Sequence, residues 1–398
     1  MMQPRRWPAR GLLVLILSLL GLAACDKEKE VDPPAELVKL QPKIEVDKVW
    51  STGLGGGTKS LRLGLRPAVD AERVFVASHD GEVMALDMNN GRVLWRSKTK
   101  LPLGGGPGVG AGRVVVGSTD GSVAAFNAAD GAELWRVDIG GEVLATPAVA
   151  DAVVVVRSVD GRLRGLDAKD GHELWVIEQN VPRLSLRGTA PPVIAGDLVI
   201  CGFDNGKVVA VGLANGEIAW ESAVAPSRGR TELERLVDID SLVRVIDKDV
   251  FVVGFQGKAA MLALESGQVW WAHDESSDRG LAVGDDSIFI SAASGEVKAL
   301  RKRDGAPVWE QPALHRRALS APAVDGSTIV VADFEGYLHW LDTATGEIVA
   351  RQDTDGDRIT NGPVAAGGMV FVLTDSGTLA AFRRVEKDGD DKSAAQAG

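Results

Sequence analysis

The stretch that decides the fold is Asp80-Gly81-Glu82-Val83-Met84-Ala85-Leu86-Asp87-Met88-Asn89-Asn90-Gly91-Arg92-Val93-Leu94-Trp95. An Asp-Gly pair opens it and an Asn-Gly pair follows ten residues later. Such pairs favour tight hairpin turns, because glycine takes positive φ at no steric cost. The apolar run Val83–Leu86 between them therefore reads as a strand, and the segment carrying Trp95 reads as the next strand back.

Working outward, the same unit recurs along the chain with a period of about 40 residues. The first glycine returns at Gly121, Gly161, Gly206, Gly257, Gly295, Gly336 and Gly377, in steps of 40, 40, 45, 51, 38, 41 and 41, which makes eight copies. The second stands ten residues later in seven of them: Gly91, Gly131, Gly171, Gly216, Gly267, Gly305 and Gly346. Tryptophan follows four residues after six of these, at Trp95, Trp135, Trp175, Trp220, Trp271 and Trp309. Pro67, Pro107, Pro147, Pro192, Pro322 and Pro363 stand fourteen residues ahead of the first glycine, and only the fifth and sixth copies lack this proline. Each copy also carries a β-rich run before the first glycine, such as Val74-Phe75-Val76 or Ile329-Val330-Val331.

Each copy thus predicts four antiparallel strands. A single sheet of this kind buries its faces only by stacking on its neighbours. Eight sheets in a ring make an all-β, eight-bladed β-propeller. The eighth copy stops after its third strand, whereas Val49-Trp50 has no strands before it, so the N-terminal strand is expected to complete the last blade. Trp50 and the six repeat tryptophans read as structural wedges between blades. An aromatic ligand cage is the sharper alternative, but residues at one repeat position are spread around a ring.

Composition agrees with a folded chain. Of 398 residues, 45% are apolar and 25% charged, enough for one large or two ordinary domains. The net charge of -11 opposes broad attraction to phosphate backbones, so nucleic acid is not an expected partner. Two cysteines, Cys25 and Cys201, supply neither a disulfide framework nor a four-ligand zinc site, and no metal or cofactor is expected. The glycine-rich segments Gly53–Gly57 and Gly104–Gly112 fit no G-x-G-x-x-G spacing or P-loop and are expected to be inter-blade turns. In Asp353-Thr354-Asp355-Gly356-Asp357 the glycine falls two places too early for a calcium loop, and the run reads as a solvated turn. No G-x-S-x-G elbow or HExxH pair is present, and Cys201, within a β-run, reads as a small buried hydrophobe.

The N-terminus reads as an export signal: Arg5, Arg6 and Arg10, an apolar run from Leu12 to Leu20, then small residues. Its exit, Leu22-Ala23-Ala24-Cys25, resembles the lipobox of bacterial lipoproteins, in which the cysteine is acylated and becomes the mature N-terminus. Acyl chains at about 0.8 kcal/mol per buried CH2 would hold even an acidic protein on a membrane. The organisation expected is therefore a signal peptide over 1–24, a lipidated cysteine and flexible tether over 25–45, the propeller over 46–385 and a disordered tail over 386–398.

The repeat form is similar to the tryptophan-docking repeat of quinoprotein (PQQ) dehydrogenases, although the adjacent cysteines and calcium-bound quinone site of those enzymes have no match here. The lipobox, the split eighth copy and two inserted segments resemble more closely the BamB family, propeller lipoproteins of the bacterial outer-membrane β-barrel assembly machinery. The segments are Leu184-Ser185-Leu186-Arg187-Gly188 and Thr231–Asp240, placed where the repeat steps lengthen after the third and fourth blades. They are expected to be spatial neighbours, because connections between successive blades lie on one face of the disc.

The resemblance implies a non-enzymatic scaffold at the periplasmic face of the outer membrane. It would bind the POTRA domains of BamA and assist outer-membrane protein assembly, with nascent outer-membrane proteins as further partners. It also assigns Leu184 and Leu186 as apolar anchors, Arg187 as a hydrogen-bonding charge, and Asp238 and Asp240 as acids that position Arg187 or pair with the partner. Asp26 departs from the pattern, since an aspartate after the lipidated cysteine accompanies inner-membrane retention in enteric lipoproteins. A quinone-dependent dehydrogenase and a ligand-sensing propeller are the alternative functions.

Overall fold

The turn chemistry read from the sequence builds the blades directly. Gly81 and Gly91 adopt φ of +90° and +69°. The Asp87 carboxylate accepts the Asn89 amide at 2.9 Å, and the Asn90 side chain accepts that of Arg92 at the same distance, so each Asx residue closes its own turn. The computed structural model describes residues 32–58, 61, 63–185, 189–224, 231 and 237–385.

Blade 1 runs outward through Ala68–Asp70, Arg73–Ala77, Glu82–Asp87 and Val93–Lys98, all antiparallel. Blades 3 to 7 repeat this order of four sequence-consecutive strands. Blade 8 consists of Val364–Ala366, Met369–Leu373 and Thr378–Val385, with Glu45–Gly53 as its outermost strand. In that closing pair Trp50 lies opposite Ala381 and Glu45 opposite Val385, so the last sheet is zipped by strands from the two ends of the repeat region. Second and third strands are almost wholly buried, as in Val74–Ala77 and Val83–Leu86. They form successive apolar layers between adjacent blades.

The tryptophans join each blade to the next. Trp135 of blade 2 donates its indole N–H to the Ala168 carbonyl of blade 3 at 3.0 Å, and its ring covers Gly171, where a Cβ would stand 2.7 Å from the ring. The same pairing links Trp95 with Gly131, Trp175 with Gly216, Trp220 with Gly267, Trp271 with Gly305 and Trp309 with Gly346. Trp50 completes the set from the closing strand, with its ring over Gly91 and its N–H on the Met88 carbonyl at 2.9 Å. The second glycine of each unit therefore serves the tryptophan of the blade before it.

The seam between blades 7 and 8 is built differently. Ala350 occupies the tryptophan position there, and blade 8 has no second glycine to receive a ring. Trp340, fully buried one strand further in, donates to the Asp325 carboxylate at 3.2 Å and meets Phe382 edge-on at 6.1 Å.

Two expectations are corrected. Gly104–Gly112 is largely not an inter-blade turn: Leu103–Gly110 is the innermost strand of blade 2, and Gly64–Leu65 adds to it in parallel as a fifth strand. Its glycines are required by close approach, because a Cβ at Gly105 or Gly108 would collide with the carbonyl oxygen of Ala145 or Pro147. The expected tether also ends earlier than residue 45. From Ala35 onward the chain is bound to the propeller: Ala35 N–H donates to His315 O at 3.0 Å, Arg317 to Ala35 O at 2.9 Å, Arg351 to Val38 O at 2.9 Å and Lys43 N–H to Val349 O at 2.8 Å.

Candidate functional site

The second inserted segment and the chain just beyond the first are anchored to one short stretch, Cys201–Asp204, where the second strand of blade 4 ends. Cys201 Sγ donates to the Ala190 carbonyl at 3.6 Å, two residues beyond the first segment. The Ile239 amide donates to the Phe203 carbonyl at 3.3 Å, and the Ile239 side chain fills the place a Cβ would take at Gly202. The second segment then crosses to blade 5, where the Phe255 amide donates to the Asp238 carbonyl at 2.8 Å. Ala190 and Ile239 are thus held at one shared strand end.

A buried charge pair braces the same place. Arg157, at the end of the Val153–Arg157 strand of blade 3, is fully buried, with Nη2 3.2 Å from the Asp204 carboxylate and Nη1 donating to Ser158 O at 2.6 Å. Its guanidinium stacks 4.3 Å from the Phe203 ring centroid. Burial raises the Asp204 carboxyl above the usual carboxylate range, partly offset by the Arg157 charge and by a hydrogen bond with Asp240. Arg157, Asp204 and Asp240 thereby tie blade 3, blade 4 and the second segment together. The Cys201 thiol is pushed up to about 12 by burial, so it is protonated at neutral pH and is not a nucleophile.

The sequence-derived site residues fall in three classes. Leu184 is 42% exposed, well above the core leucines, and stands as a surface apolar group. Asp238 is only 1% exposed, and Asp240 is partly buried beside the propeller axis. Leu186, Arg187 and Cys25 lie outside the described residues. Sequence reading missed Arg157 and Asp204, because each sits at a strand end where neighbouring repeats carry other residues.

Asp240, the last residue of the second inserted segment, and Thr189, which follows the first, also line a cavity of about 150 Å3 together with the entry segments of several blades. Among the described residues, Asp167, Asp170 and His172 form the one group with metal-ligand atoms within 4.8 Å of one another. Their oxygens already accept turn hydrogen bonds, Asp167 from the Lys169 amide at 2.7 Å and Asp170 from the His172 amide at 3.1 Å. No helix among the described residues is long and apolar enough to cross a membrane.

Fold and site together define the class: a tryptophan-docked, eight-bladed propeller whose repeat carries insertions after the third and fourth blades. The sequence matches the family described as Outer membrane protein assembly factor BamB over residues 45–100, 79–311 and 293–392. It is 48% identical over 377 residues to the protein of that name from Pseudomonas aeruginosa, covering 95% of this chain and 99% of the relative. The Kangiella koreensis protein of the same name is 41% identical, covering 94% of this chain and 96% of the relative. The crystal structure of BamB from Moraxella catarrhalis superimposes with a TM-score of 0.78 at 25% identity, covering 85% of this chain and all of that one. The chain belongs to the BamB family of outer membrane protein assembly factors. Quinohemoprotein alcohol dehydrogenase from Comamonas testosteroni, at 12% identity and a TM-score of 0.65 over 86% of this chain and 78% of that one, shares the fold alone.

Proposed function

We propose that the protein is a non-enzymatic, lipid-anchored member of the Bam complex. In this reading it binds the POTRA domains of BamA at the periplasmic face of the outer membrane and supports assembly of nascent outer-membrane proteins. The observation that carries the reading is that Ala190, two residues beyond the first inserted segment, and Ile239 of the second are both held at Cys201–Asp204. Leu184 and Leu186 serve as apolar anchors and Arg187 as the charged contact. The deep burial of Asp238 favours a positioning role for it, and Asp240 is held through Asp204. A buried anchoring arginine is worth about 2 kcal/mol or more in an interface, roughly thirtyfold in affinity. The anchor is an acylated Cys25, with residues 26–34 between the lipid and the propeller-bound stretch that begins at Ala35.

The test is binding of purified BamA POTRA domains to Leu186→Ala, Arg187→Ala and Asp238→Ala variants that melt like wild type. Weaker binding by these variants is expected, and undiminished binding by all three would remove the assignment. Mass spectrometry of the mature N-terminus, together with fractionation of a Cys25→Ala variant, tests the anchor.

A further inference from the structure

The cavity at the propeller axis carries more positive charge than its surroundings neutralise. Arg66, from the segment leading into blade 1, and Arg244, at the start of the first strand of blade 5, both line it. Arg66 makes no hydrogen bond or ion pair with any described residue. Arg244 spends only its Nε, donating to the Leu281 carbonyl at 3.2 Å, which leaves both Nη groups unused among the described residues. Burial lowers the Arg66 guanidinium below its ordinary range and holds Arg244 down to about 10, where the charge of Arg66 adds to the effect. No carboxylate among the described residues offsets either shift. The acids in the same wall have partners of their own: Asp240 bonds with Asp204, and Asp278 lies 3.4 Å from Arg279, a third arginine of the lining. A second observation is independent of charge. Thr189, 6% exposed, lines this cavity with a buried Oγ1 that has no hydrogen-bond partner among the described residues. Unsatisfied buried hydroxyls are uncommon in native proteins and mark a place where a partner atom belongs.

We propose that this axial cavity is a binding site for a small multiply charged oxyanion, held between Arg66 and Arg244 with Thr189 donating its hydroxyl. Two guanidinium groups supply the planar donor forks that suit carboxylate and phosphate oxygens. At about 150 Å3 the cavity lies below the usual range for drug-sized ligands, so it admits a small di- or tricarboxylate or a phosphate ion rather than a larger cofactor. Asp240 ends the second inserted segment and Thr189 immediately follows the first, so the site adjoins the chain at both insertions.

The experiment is isothermal titration calorimetry on the purified protein at neutral pH and low salt, with citrate in one arm and inorganic phosphate in the other. Wild type is compared with Arg66→Gln, Arg244→Gln and Arg303→Gln, the last an exposed arginine on the outer part of blade 6. Saturable one-to-one binding of at least one ion is expected, weakened tenfold or more in Arg66→Gln and in Arg244→Gln and unchanged in Arg303→Gln. The arm that binds tells carboxylate from phosphate chemistry. The two cavity variants are expected to fold, because each relieves the repulsion between like charges, and a melting temperature at or above the ligand-free wild type confirms it. Absence of saturable binding in both arms, or binding that survives in both cavity variants, overturns the proposal.

Discussion

Replacing Trp135 by alanine tests whether tryptophan docking holds the ring together. The side chain is 7% exposed, covers Gly171 of the next blade and donates to Ala168 O at 3.0 Å. Burying about 150–250 Å2 of indole at about 25 cal/mol per Å2 corresponds to roughly 4–6 kcal/mol. Measured truncations of buried aromatics to alanine cluster at about 3–5 kcal/mol, so about 4 kcal/mol is the expected loss. An unfolding entropy of about 2.1 cal/mol/K per residue amounts to about 0.7 kcal/mol/K over the stretch from Glu45 to Val385, so Tm should fall by about 6 °C. The control is Trp270→Ala on the adjacent face of a comparable outer strand, where the side chain is 56% exposed and a shift within about 1 °C is expected. Differential scanning calorimetry reads both. If Trp135→Ala melts no lower than Trp270→Ala, the docking account of blade cohesion is wrong.

Deleting residues 46–52 removes the outer strand of blade 8 together with Trp50, and a sharp loss of Tm by circular dichroism is expected; an unchanged melt and spectrum would rule out closure by this strand. Cys201 should resist a thiol reagent in the native protein at about pH 8 and react once the chain is unfolded, and rapid native labelling would contradict its burial. His339 predicts an acid-side loss of stability. Its Nε2 lies 3.0 Å from Asp333, and Arg351 Nε donates to its Nδ1 at 3.2 Å, an arrangement that requires the neutral ring. Burial holds its pKa below the ordinary 6.5, so the unfolded chain takes up the proton first; the stabilisation is complete above about pH 6.5 and declines as pH falls below it. Denaturant titrations from pH 7.5 to 5 should show a slope that His339→Gln flattens, and equal slopes would exclude the histidine as its source.

The blades were legible because each needs a glycine where positive φ or a stacked ring leaves no room for a Cβ, and such a demand repeats visibly. Even the missing tryptophan at Ala350 and the missing glycine of blade 8 agree, since they are the two halves of one docking pair. The innermost strand of blade 2 escaped because its glycines answer to the neighbouring carbonyls of Ala145 and Pro147, a tertiary contact with no local signature. The docked stretch from Ala35 to Ile44 is charged and without apolar periodicity, and it is held through its backbone carbonyls, which any sequence offers, by Arg317 from the connection between blades 6 and 7 and by Arg351 from blade 7. Arg66 and Arg244 face one cavity only because the ring closes, and nothing along the chain brings them to notice.

The most direct test of the scaffold reading is site-specific photocrosslinking in intact cell envelopes. A photoreactive amino acid is placed at Leu184, the exposed leucine of the first inserted segment, and in a second strain at Leu134, which is 46% exposed on the outer strand of blade 2. The account predicts a crosslink to BamA from position 184 and none from position 134. Capture of BamA from 134 with none from 184 would contradict it.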